Sequence, residues 1–257
     1  MKSLDTALRV LQQFAGAQPD LGVGEISEKL GLPKSQVSKI LSAFRQSGLL
    51  VQNQTTRRYG VGARAYALGA RFINYDRLTR EALPTMRNLV ERTGHSARLS
   101  VMVGDDILYL VGIEGPLFLD TSWRAGQWLP PHATSAGRVL LAFEPEDRAL
   151  RILKESGLPA LTAETETDLG KLSAMMEAIR GEGFHIMRNE TTPGLATIGV
   201  PIMAEQQNVV GAFTLVFPSH VLAPAAEPGY VAILHKAARV LSQRLGCPLY
   251  PFGNDRT

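Results

Sequence analysis

Cysteine is nearly absent from this chain. The single Cys247 among 257 residues excludes an internal disulfide framework and any metal cluster built from several thiolates. A reducing cytoplasm is then the simplest home. Long apolar runs are missing too. No stretch approaches the roughly 20 uninterrupted apolar residues that a bilayer requires, so no membrane partner is expected. The opening MKSLDTALRV carries Asp5 and Arg9 and no apolar core run, which reads as folded protein and not as a signal peptide. The signatures of common catalysts are also lacking. There is no Gly-x-x-x-x-Gly-Lys phosphate loop and no dinucleotide fingerprint. His95, His185, His220 and His235 have no metal-ligand spacing among them, so neither metal nor cofactor is expected. His132, in PPHATSAG, stands near Ser135 as a base would. No G-x-S-x-G elbow surrounds that serine, however, and no carboxylate is identifiable to orient the histidine. A structural hydrogen bond where the next helix begins is the better reading, and the chain is not expected to be an enzyme.

Positive charge is present but unevenly spread. The first 61 residues hold 8 Lys and Arg against 4 Asp and Glu, and the remainder holds 19 against 20. The excess therefore lies in the first quarter, which fits either a solvated basic face or a polyanionic partner for that segment alone.

The order of elements in that segment favours the partner. SLDTALRVLQQFAG places Leu4, Leu8, Leu11 and Phe14 at helical spacing, with Ser3 able to cap the start. AQPDLGVG reads as a loop. GEISEKLG is a short second helix burying Ile26 and Leu30, and Gly31 stops it. Pro33 sits near the first position of a third helix, where its missing N–H costs nothing. That helix buries Val37, Ile40, Leu41 and Phe44 and shows Lys34, Ser35, Gln36, Ser38 and Lys39 on its other face. Two helices joined by a short Gly-containing turn have the layout of a helix-turn-helix, whose second helix enters the DNA major groove. Gln can bond adenine bidentately, Ser is versatile, and Lys reaches guanine or phosphate. Next comes LLVQNQTTRRYGVG. Residues 49–51 and 59–61 are expected to be strands, and QNQTTRR the tip of a wing hairpin. Arg57 and Arg58 at that tip would hold phosphate or a narrow minor groove. Double-stranded DNA is thus the expected partner, with residues 1–61 as a winged helix-turn-helix.

The remaining residues read as an α+β domain. GARAYALGARFINYDRLTREALPTMRNLVERTG is helical in pattern, with Pro84 a kink or a fresh start. We take 62–78 as a linker helix, 79–250 as a C-terminal domain and 251–257 as a tail. ARLSVMVG-DD-ILYLVGIEG is a hairpin around Gly104, Asp105 and Asp106. Helices are expected over 134–143, 145–154 and 167–181, strands over 184–187, 197–203 and 209–217, and a final amphipathic helix over 226–245. Irregular alternation with hairpins implies an antiparallel or mixed sheet flanked by helices.

These segments together resemble the IclR family of bacterial transcription regulators. The likeness runs from SLDTALRVLQQFA through ISEKLGLPKSQVSKILSAFRQSGLL and RRYGVG, then LPPHATSAGRVLLAF, and ends with NETTPGLATIGVPI and VVGAFTLVFP. It implies a regulator that binds a small molecule in its C-terminal domain, as a dimer or a dimer of dimers on a pseudo-palindromic operator. Carried over position by position, the effector-binding residues would be Arg98, Phe118, Thr121, Leu129, Ser135, Ala136, Met187, Thr197, Thr214 and Val216. Ser135 and Ala136 open a helix, where backbone N–H groups favour a carboxylate. The chain departs from the family pattern at Thr197, Met187, Arg188, Val216 and Arg98. Fewer hydroxyls and an added arginine suit an organic acid with an apolar or aromatic body better than a very small polar one. Arg98 either faces that ligand or pairs on the surface with Asp105 or Asp106. Trp123 and Trp128 either stack on the ligand or serve packing. A competing reading gives the C-terminal domain dimerisation alone.

Overall fold

The computed structural model describes residues 2–16, 18–116 and 125–253. These form two compact units, residues 1–76 and 77–257.

In the first unit, α1 (Lys2–Gln12) is followed by β1 (Asp20–Leu21), α2 (Val23–Leu30) and α3 (Lys34–Gln46). After these come β2 (Leu50–Gln52), β3 (Tyr59–Val61) and α4 (Ala63–Tyr75). Gly31 ends α2 in the left-handed region, at φ 64°, a backbone state that glycine adopts without penalty. The chain then turns within three residues into α3, with Pro33 as the N-cap at φ −58°. The core joins Val10, Phe14, Leu21, Ile26, Val37, Leu41, Leu50 and Tyr59. Val37 and Leu41, one turn apart, anchor α3 and fix which of its faces meets solvent.

Leu4 and Leu8, at helical spacing with Phe14, are 66% and 48% exposed, and Val10 is buried. Two details differ from the sequence expectation. The segment read as a loop contains β1, which pairs with β3 and completes a sheet of order β1-β3-β2. Two residues have too little periodicity to be seen in sequence. The division after Asp76 falls between two separate helices, where a continuous linker was expected through residue 78.

The second unit starts with α5 (Arg77–Thr93), which carries Pro84 inside it, and continues with the hairpin β4 (Ser96–Val103) and β5 (Asp106–Ile113). Next are β6 (Trp128–Leu129), α6 (Ser135–Ala142), α7 (Glu146–Glu155) and α8 (Leu169–Glu182). The chain ends with β7 (His185–Arg188), β8 (Leu195–Met203), β9 (Val209–Pro218) and α9 (Glu227–Arg244). The six strands are antiparallel throughout, in the order β6-β5-β4-β9-β8-β7. Helices α5 and α9 pack on one face and α6 on the other. Behind α6, its apolar residues join Ala149, Ile152 and Leu153 of α7 and Leu172, Met176 and Ile179 of α8 in one core.

Candidate functional sites

On α3 the residues Lys34, Ser35, Gln36, Ser38 and Lys39 are all exposed. They occupy the first turns, opposite buried Val37 and Leu41. Ser35 and Ser38 are short enough for a helix backbone to approach base edges closely, and Gln36 and the two lysines can reach bases or phosphate. The wing turn after β2 is built by Asn53, whose carboxamide oxygen accepts the amides of Thr55 and Thr56 at 2.9 and 3.0 Å. Arg57 follows at φ 59°, exposed at the tip. Arg58, expected beside it as a phosphate contact, is placed differently. Its Nε donates to Asp20 Oδ1 at 2.6 Å, and its Nη2 donates to the Asp20 carbonyl at 3.0 Å and to Glu25 Oε1 at 3.2 Å. Proximity in sequence placed the two arginines together. The strand that begins at Tyr59 turns successive side chains to opposite sides, and Arg58 folds back against β1 and α2. The Gly22 amide and then Arg58 hold the Glu25 carboxyl below the ordinary carboxylate range.

The second site is a cavity of about 40 Å³ between the sheet and the start of α6. Seven of the ten expected residues line it: Arg98, Leu129, Ser135, Ala136, Met187, Thr197 and Thr214. Val216 does not. It is buried, pairs with Thr197 across the sheet, and is absent from the lining. Phe118, Thr121 and Trp123 lie outside the described residues. Ser100, Thr134, Glu190, Thr191 and Leu195 complete the wall. Two of these had a sequence signal. Ser100 shares Arg98's strand face by the two-residue alternation, and Thr134 precedes the helix as its cap. Glu190, Thr191 and Leu195 sit in and just after the β7–β8 turn, where no periodicity points inward.

Each wall element is fixed for a physical reason. Thr134 caps α6 by accepting the Gly137 amide at 3.1 Å, which leaves the cap off the amides of Ser135 and Ala136. Gly199 of β8 allows this helix start to lie against the sheet: a Cβ there would meet the Ser135 backbone at 3.2 Å. Arg98 turns into the cavity with its guanidinium 4.9 Å from the centre of the Tyr109 ring. Asp105, its alternative surface partner, is held by Arg148 and Arg151. Among the described residues, Thr197 Oγ1 and Thr214 Oγ1 are buried with no hydrogen-bond partner. A buried hydroxyl left unsatisfied costs free energy, which a ligand atom can recover.

Behind the wall lies a buried ionic group. Arg138 of α6, with its side chain 2% exposed, meets Glu190 through two parallel bonds of 3.0 and 2.5 Å. It also donates to the His132 carbonyl at 2.6 Å and contacts His185 Nε2 at 3.0 Å. Thr191 Oγ1 donates to the Ala133 carbonyl at 2.5 Å, tying the β7–β8 turn to the same helix start. His132 is wholly buried and its Nε2 meets the Pro159 carbonyl at 3.0 Å, the structural bond read from sequence. Among the described residues no group of His, Cys, Asp and Glu is arranged to hold a metal ion, and no helix is long and apolar enough to cross a membrane.

A winged helix-turn-helix on one unit and an antiparallel α+β sheet with a lined cavity on the other fit a DNA-binding regulator. Comparison with known proteins makes the assignment particular. Residues 71–243 match the bacterial transcriptional regulator IclR C-terminal domain, and residues 3–54 match the IclR helix-turn-helix domain. The chain belongs to the IclR family of transcription regulators. It is 29% identical to the HTH-type transcriptional regulator KdgR of Escherichia coli, over 97% of this chain and 96% of that one. The crystal structure of an IclR regulator from Alicyclobacillus acidocaldarius superposes with a TM-score of 0.84 at 25% identity, covering 96% of this chain and 99% of that chain. An IclR homologue from Microbacterium hydrocarbonoxydans, complexed with 4-hydroxybenzoate, gives 0.78 at 26% identity, covering 95% and 98%.

Partly buried His185 and buried His235 set a pH dependence. Burial, reinforced by Arg138, lowers His185 to about 3, and burial, reinforced by Arg239, lowers His235 to about 4. Below about 6.5 the unfolded chain takes up protons that these folded histidines refuse. Their contribution to stability is therefore complete above that pH and falls as pH drops toward 4, at up to about 1.4 kcal/mol per unit for each. His185→Gln keeps an acceptor for Arg138 without the titration. We expect denaturant melts at pH 7 and 5 to differ by about 1–2 kcal/mol less in His185→Gln than in the wild type. An unchanged difference would show that His185 titrates normally.

Proposed function

We propose that the chain regulates transcription in the cytoplasm by binding a pseudo-palindromic operator as a dimer or dimer of dimers, under control of a small organic acid held in the C-terminal cavity. In this reading Gln36 and Ser35 read bases, with Lys34, Ser38 and Lys39 beside them, and Arg57 meets phosphate or the minor groove. The effector carboxylate lies at the Ser135 and Ala136 amides, where the α6 dipole favours an anion. Its apolar, aromatic body lies against Leu129, Met187 and Leu195. Thr197 and Thr214 orient its far end, and Arg98 adds a charge-assisted bond.

The observation that carries this reading is the cavity itself: a capped helix start and two buried hydroxyls that have no partner among the described residues. The homologue that binds 4-hydroxybenzoate, an aromatic acid, supports the ligand class. Binding changes operator affinity only insofar as the acid has different affinity for two conformations of the protein. Self-association is supported by the exposed apolar residues Leu4 and Leu8 on α1 and Tyr66, Phe72 and Tyr75 on α4. One winged helix also makes few contacts for tight operator binding.

Three measurements test this. Gln36→Ala should relax base preference at one operator position at a cost of about 1–3 kcal/mol, read from binding sites recovered by in vitro selection. An unaltered preference would move the recognition surface elsewhere. In a thermal-shift screen of aromatic and aliphatic acids, an effector at a hundred times its Kd should stabilise the wild type by about 2.7 kcal/mol. Ser135→Trp should abolish that shift and leave DNA affinity intact; a retained shift would place the effector outside this cavity. Light scattering at micromolar concentration should give at least a dimer, and a monomer that still binds DNA tightly would remove the assembly.

A further inference from the structure

Arg58 joins three segments that are distant in sequence. It leads into β3, Asp20 opens β1, and Glu25 lies in the first turn of α2. Its guanidinium is shared between the Asp20 carboxylate at 2.6 Å, the Asp20 carbonyl at 3.0 Å and the Glu25 carboxylate at 2.9 Å. Glu25 is held in turn by the Gly22 amide at 2.6 Å. The wing hairpin has only two backbone ladders to secure it, three residue pairs between β2 and β3 and two between β1 and β3. So small a sheet is marginal without further ties.

We infer that Arg58 is a positioning residue for DNA binding: it clasps the wing to the start of α2 and so sets where Arg57 meets the duplex. Two physical arguments carry this. First, α2 is the first helix of the helix-turn-helix, the one that crosses the DNA backbone in this motif. A wing tied to α2 is fixed relative to α3, and Arg57 then presents its charge from a defined place. Second, Asp20 and Glu25 put two negative charges beside that helix start, where they would repel phosphate. Arg58 offsets one of them, and its fork reaches both carboxylates together with a carbonyl. The compact ammonium of lysine cannot span those three acceptors. Arg57 and Arg58 are thus neighbours in sequence with separate tasks, one facing outward to DNA and one inward to the domain.

The full-length protein tests this in two ways. Amide hydrogen exchange without DNA reports the clasp, and salt-dependent binding to a generic mixed-sequence duplex reports phosphate contact. Arg58→Ala, Arg58→Lys and the double variant Asp20→Asn with Glu25→Gln should each speed exchange of the β1 and β3 amides by about threefold or more. The core amides of α3 should stay protected, which separates a loosened wing from an unfolded domain. Arg57→Ala should leave wing exchange unchanged and lower the slope of log K against log salt by about 0.9 for each phosphate it no longer neutralises. The inference is overturned if Arg58→Ala lowers the salt slope while wing exchange stays at the wild-type rate. It is equally overturned if Arg58→Lys matches the wild type in both measurements, since a point charge on phosphate would then suffice.

Discussion

The effector domain depends on one buried ion pair. Arg138 is among the largest side chains fully removed from solvent, and a guanidinium is tolerable there only because its donors are matched. Glu190 takes two of them, the His132 carbonyl takes another, and His185 stands at a further one. Glu190 is used beyond its carboxylate as well. Its carbonyl accepts from Thr165 at 2.6 Å and from Thr162 at 3.3 Å, and its Oε2 accepts the Glu166 amide at 3.0 Å. The pair therefore holds α6, the segment before α8 and the β7–β8 turn in one arrangement. Removing one partner of such a pair typically costs about 3–5 kcal/mol, because a charge is left buried. Glu190, Thr191 and the start of α6 also line the cavity, so this interaction helps to fix its wall.

Where sequence periodicity was long, structure followed it. Val37, Leu41 and the polar residues between them gave α3 its two faces, and the runs around Gly104 gave the β4–β5 hairpin with almost the expected limits. Seven cavity residues were also legible, but through resemblance to a family and not through chemistry visible in one chain. What escaped notice were features that arise only from contact. β1 is two residues long and exists because β3 pairs with it. Arg58 lay in a basic pair that looked uniform, and only the fold brings Asp20, 38 residues away, to its guanidinium. Glu190 stood in a polar turn, the usual place for a solvated acid, and nothing in the helix read over 134–143 pointed to Arg138 as its partner. Every residue of α6 is in fact buried, so amphipathic reasoning had no exposed face to find.

Each unit has its own closed apolar core, one around Val37 and Leu41 and one behind α6. In the function proposed above, recognition of DNA and recognition of a small molecule are therefore built on separate scaffolds. The groups assigned to each sit on regular elements: the proposed base-reading residues on a helix, the cavity hydroxyls on adjacent strands of a six-stranded sheet. Such placement keeps the groups within the small tolerances that recognition needs.

The hydroxyls of Thr197 and Thr214, without partners among the described residues, carry an evolutionary consequence. Valine has nearly the shape of threonine and no polar atom to desolvate, so selection for folding alone would favour valine at both strand positions. Under the function proposed above, threonine at these two positions serves the ligand and not the fold. A lineage that exchanged its effector for a purely apolar one would be free to shed them. The chemistry of these two positions in related regulators should thus track what each regulator senses more closely than how stable it is.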